Sequence, residues 1–130
     1  MAGNRVVARF RDGRRVKGTT TDFMPARDFF HVHVEDGTVE TVRHLDLKAI
    51  FFVRDFAGDP GHKRSNDFAA DQVVSGRKIR VVFEDGEILI GTTQGYTPGR
   101  AGFFVVPADA ATNEERCFVV AAATREVHLI

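Results

Sequence analysis

Histidines, one cysteine and a run of arginines are the residues of this chain that could do chemistry. His31 and His33 lie two positions apart, so on a strand they share a face, and His44 follows on a neighbouring segment. Three imidazoles brought together could hold zinc. Phe30, Val32 and Val34 take the opposite face by alternation, which predicts a core on that side and leaves His31 and His33 outside. No metal site is therefore expected, and His62 and His128 have no companions. Cys117, in the run RCFVV, would need a histidine base to act as a nucleophile. The alternating run predicts a strand with the thiol packed instead. Asp22, Asp28, Glu35 and Asp36 cluster near turns, with no nucleophile–base pair or phosphate-binding glycine loop beside them. A protein without catalytic residues and without a cofactor is expected.

Charge offers binding chemistry instead. In RVVARFRDGRRVK, the residues Arg9, Arg11, Arg14, Arg15 and Lys17 accompany a single acid, Asp12. On a curled hairpin they could form an outward stripe that meets phosphates, with affinity falling steeply as salt rises. A solvated strand face that blocks edge pairing accounts for the same residues. Over the whole chain Lys+Arg and Asp+Glu both total 18, so no global field recruits nucleic acid or an anionic membrane. The 43% hydrophobic and 28% charged content is that of a globular protein.

The segments that carry these residues recur along the chain. FRDGRRVKGTTTDFMPARDFFHV superposes on FEDGEILIGTTQGYTPGRAGFFV, pairing Phe10 with Phe83, Gly13 with Gly86, Gly18 with Gly91, Pro25 with Pro98 and Phe30 with Phe103. Matching over a whole supersecondary unit points to duplication. KAIFFV then pairs with REVHLI, with a few extra residues in the polar stretch PADAATNEER of the second copy. The expected units are residues 1–56 and 77–130, joined by a linker, 57–76, with a short helical turn near Asn66 to Val74. Phe56 and Phe68 are expected to dock this linker.

Each copy predicts five short strands. Val6, Ala8 and Phe10, and likewise Ile79, Val81 and Phe83, alternate onto one face. Asp12-Gly13 and Asp85-Gly86 supply tight hairpins, Gly18 and Gly91 a bend within the second strand, and His44 to Leu47 a single helical turn. Five bent strands in so short a unit suit a small barrel rather than a sandwich. The recurring pattern apolar-x-apolar-x-x-Asp-Gly-x-x-apolar-x-Gly resembles the first motif of Sm-like proteins, the bacterial Hfq relatives among them, and more broadly Src-homology-3-like barrels. The duplicated arrangement and the ending LKAIFFVRDF are also similar to an uncharacterised bacterial domain family. The resemblance implies an all-β fold of two tandem, strongly bent five-stranded barrels. Sm-like proteins that hold RNA carry an Asp and a Met-Asn pair in the loop after the second strand, where this chain has Met24 to Asp28 and Thr97 to Ala101.

Outward-facing positions differ between the copies. His31 and His33 correspond to Phe104 and Val106. Together with Phe51 and Leu129 on the final strands, these apolar residues exceed what one small barrel can bury, and surplus apolar surface marks an interface, between barrels or between chains. The expected function is a non-catalytic binding or scaffolding module acting by protein–protein interaction and self-association as a homo-oligomer. The alternative is RNA or single-stranded DNA binding through the basic first hairpin. A third possibility is a nucleotide second messenger at Arg27 or Arg100, as in PilZ barrels, but the Arg-rich PilZ motif is absent and no binding of cyclic dinucleotides is expected. No apolar run approaches the ~20 residues needed to cross a bilayer, the beginning MAGNRVVARFRDGRR is too polar for a secretory signal, and a lone cysteine fits a reducing compartment. A cytoplasmic location without membrane contact is expected.

Overall fold

Alternating side chains and Asp-Gly turns produce strands throughout this chain. The computed structural model describes residues 3–56, 64–69, 72 and 75–130. The first half contributes β1 (Asn4–Phe10), β2 (Arg15–Thr20), β3 (Phe29–His33), β4 (Val39–Arg43) and β5 (Leu47–Val53). The second contributes β6 (Arg77–Phe83), β7 (Ile88–Thr93), β8 (Gly102–Pro107), β9 (Glu114–Val120) and β10 (Thr124–Leu129). A single 3₁₀ turn, His44–Asp46, precedes β5 as expected, and a second, Ala121–Ala123, precedes β10. Over Asn66 to Ala69 the linker forms no helix. The rest of the expected helical turn falls partly outside the described residues, as does His62.

The two hairpins are built alike. Gly13 (φ 95°) and Gly86 (φ 93°) take left-handed backbone that other residues avoid. Asp12 accepts the Arg14 N–H at 2.9 Å, and Asp85 accepts that of Glu87 at 2.9 Å. Gly18 and Gly91 mark close approaches: a Cβ on either would collide with the carbonyl oxygen of His33 or Val106. Glycine is thus required where β2 crosses β3 and where β7 crosses β8.

Two separate barrels do not form as closed units. All ten strands belong to one open antiparallel sheet, in the order β10-β6-β7-β8-β9-β5-β1-β2-β3-β4. The joint between halves is β5 against β9, with Ile50 opposite Phe118 and Phe51 opposite Cys117. Its cause lies in LKAIFFV: every residue of β5 is buried, as for a strand covered on both faces rather than a barrel wall with one face in water. Alternate β5 residues enter different cores. Ile50 and Phe52 join Val6, Ala8, Phe10, Phe30 and Val32. Ala49, Phe51 and Val53 join Ile79, Val81, Phe83 and Leu89. Since neighbouring side chains point to opposite faces, the two cores lie on opposite faces of this one strand. Strand β9 does the same, with Phe118 and Val120 in the first core and Cys117 and Val119 in the second.

The outer strands β10 and β4 show how the sheet stops. In β10, Glu126 and His128 stand where β5 has Ala49 and Phe51, and both are exposed. Charged and polar side chains at an edge discourage a further strand. Glu126→Ala combined with His128→Phe is expected to give stronger self-association than the native chain, measured by sedimentation over a concentration series.

Candidate binding site

The joint between halves encloses an aromatic cluster. Phe23 stands edge-on to Phe30 at 5.2 Å, Phe118 at 5.3 Å and Phe52 at 5.6 Å between centroids, distances at which aromatic pairs attract beyond simple burial. Phe104 packs on Phe118 at 5.1 Å. The Arg116 guanidinium lies over Phe52 and Phe104 at 4.3 and 5.0 Å. Phe104 is therefore half-buried between the halves, while Val106, two residues further along β8, is 52% exposed.

Beside these residues opens a cleft of about 690 Å³, walled by Phe104, Val106, Pro107, Pro25 and Phe68, with Arg100 and Arg116 also in its lining. Phe68 of the linker closes one side and is covered by the Lys78 ammonium at 4.7 Å. Asn66 holds the linker there by bonding both the N–H of Ile90 and the carbonyl of Ile88, each at 3.2 Å. Of the other candidate interface residues, Phe51 is buried inside the second core and Leu129 is 37% exposed on the edge strand. The four are not brought together: Phe104 and Val106 line the cleft, and Phe51 belongs to the internal joint. Phe56 is exposed at the end of the first half.

The basic hairpin meets acids. Arg9 pairs with Glu87 at 3.2 Å, Arg11 grips both oxygens of Glu84 at 2.8 and 3.0 Å, and Arg14 reaches Glu40 at 3.5 Å. Lys17 donates to the carbonyl of Phe56 at 3.4 Å, and Arg15 is exposed. The centre of this network is Lys48, whose side chain is 5% exposed; it donates to Asp85 at 2.7 Å and to Glu87. Arg64 adds contacts to Glu87 and Glu114, both at 3.0 Å. Burial opposes ionisation of Glu87, but the hydrogen bond and charge of Lys48, with the charges of Arg9 and Arg64, outweigh it and hold the carboxyl below the ordinary glutamate range. Sequence reasoning missed Lys48 and the acids facing it. A signal was present: Arg11 and Arg14 correspond to Glu84 and Glu87 in the second half, and opposite charges at matching positions suit two hairpins that face each other.

The histidines separate. His31 bonds Asp22 through Nδ1 at 2.6 Å. Burial disfavours the Asp22 anion, yet donors from the His31 ring, the His31 backbone and Thr20 lower its pKa. His33 is exposed. His44 sits in the aromatic cluster, 5.4 Å from Phe23 and 5.6 Å from Phe30, and burial lowers its pKa against the opposing charge of Asp28. Among the described residues, no group of three or more His, Cys, Asp or Glu side chains is placed to hold a metal. The Cys117 thiol is wholly buried, and that burial pushes its pKa well up, away from the thiolate a nucleophile requires. No helix among the described residues is long and apolar enough to cross a membrane.

The sequence model of a family of unknown function (DUF6982) matches residues 2–130. The chain belongs to DUF6982. No curated protein and no solved structure matches it. The DUF6982 match covers both halves of the sheet, so the β5–β9 joint and the cleft beside it lie within the family's span.

Proposed function

We propose that this DUF6982 chain is a non-catalytic binding and scaffolding module, made of a duplicated five-strand Sm-like or Src-homology-3-like unit, that recognises an apolar segment of a partner protein in the cleft beside Phe104 and Val106. The carrying observation is Val106, an aliphatic side chain left half in water on the wall of an apolar cleft. An apolar anchor entering there gains about 1.5–3 kcal/mol from leaving water. Arg100 and Arg116 favour an acidic neighbour to that anchor. Duplication is supported by equivalent registers, with Phe30 opposite Val42 in the first half and Phe103 opposite Val119 in the second. The alternative, RNA or single-stranded DNA on the basic hairpin, loses support because Arg9, Arg11 and Arg14 already hold carboxylates.

Affinity capture from the native host identifies the partner, and calorimetry with the purified partner then compares the native chain with Val106→Asp. The expected result is binding at least about tenfold weaker with unchanged thermal unfolding, since Val106 is outside both cores. Equal affinities would refute the cleft as the recognition surface.

A further inference from the structure

Arg27 and Arg100 hold matching positions in the β2–β3 and β7–β8 loops, and together with Arg43 they line a second cleft of about 510 Å³. The 25–28 loop of the first half there faces residues 100–102 of the second, and Pro25, Leu45 and Val120 supply apolar wall. Arg9, Arg11, Arg14 and Arg64 each hold a carboxylate. Among the described residues, Arg27, Arg43 and Arg100 hold none. The lining contains one carboxylate, that of Asp28, against these three cations.

His44 also lines this cleft and is 5% exposed. Its backbone N–H donates to the Asp28 carbonyl at 2.9 Å, while its ring Nε2 is buried without a hydrogen-bond partner.

We infer that this cleft binds a small molecule of about nucleotide size that carries a phosphate group, with the phosphate among Arg27, Arg43 and Arg100 and the body against Leu45, Pro25 and Val120. Phosphate fits better than carboxylate because guanidinium forks pair with two oxygens at a time. Three forks need more acceptors than one carboxylate has, and a terminal phosphate offers three oxygens. The volume lies in the range of small-ligand sites. A nucleic-acid strand would need a track of free cations running on from the cleft, and the first hairpin's arginines are largely committed to acids. Recognition in the apolar cleft is not required, although Arg100 borders both.

Amide NMR of the full chain, titrated with pyrophosphate and with adenosine monophosphate, tests the site. Shifts at Ala26, Leu45, Ala101 and Gly102 are expected, with adenosine alone causing none. In Arg27→Gln/Arg43→Gln/Arg100→Gln, whose side chains are exposed, affinity falls at least about tenfold while the melting temperature holds. No shift with either phosphorylated probe, or equal affinity in the triple variant, overturns the assignment. Tighter binding of a glutamate-rich peptide or of RNA than of either probe also overturns it, by giving the cleft to a macromolecule.

Discussion

Glu87→Ala is expected to lower the unfolding free energy by about 3 kcal/mol, the toll of breaking a buried ion pair from one side. Glu87 is the acceptor that Arg9, Lys48 and Arg64 share. Removing it leaves the Lys48 ammonium, 5% exposed, with Asp85 alone. Adding Lys48→Met recovers part of the loss, because no ammonium then remains buried without its partner. Urea titrations of the three chains measure both effects, and a single-variant loss below about 1 kcal/mol, the level of a surface pair, would show that the network is ordinary surface charge.

The same network sets an acid limit. Glu87 and Asp85 have pKa values lowered by folding, so the unfolded chain binds more protons as pH falls through the carboxylate range. Their stabilisation is fully present above the ordinary carboxylate values of about 4 and is lost as pH drops through the lower folded values. Glu87→Gln therefore flattens the decline in melting temperature on the acid side. A decline as steep as the native chain's would assign it to other carboxylates.

Phe118→Ala is expected to cost about 3–5 kcal/mol and to destabilise both halves together. Phe118 belongs to β9, yet its ring packs in the first core against Phe23 at 5.3 Å and Phe104 at 5.1 Å, while its backbone sits between β5 and β8. With one sheet through two cores, amides of β1 and of β6 should lose hydrogen-exchange protection by the same amount. Loss confined to β1–β5 would mean that the halves unfold independently.

Much of this architecture is legible in local patterns. Alternation identified Val6, Ala8, Phe10, Ile79, Val81 and Phe83 as core, and all six are buried. Asp-Gly steps marked the hairpins, because positive φ is a property of the residue itself. Phe104 against His31, at matching positions, signalled surplus apolar surface in the second half, which the structure places against the first core. The run LKAIFFV carried a further sign, an apolar residue on both faces, that barrel reasoning passed over.

Where strands begin, turn and present apolar faces follows from backbone preference and from a period of two, and both can be read along the chain. Tertiary structure alone decided that β5 pairs with β9 instead of closing a barrel, that Lys48 and the arginines of one hairpin meet the acids of the other, and that Arg27, Arg43 and Arg100 line one cleft. The physical reason is that a strand offers hydrogen-bonding groups along both edges, identical whatever their partner, and a charge acquires its role only from what is packed against it.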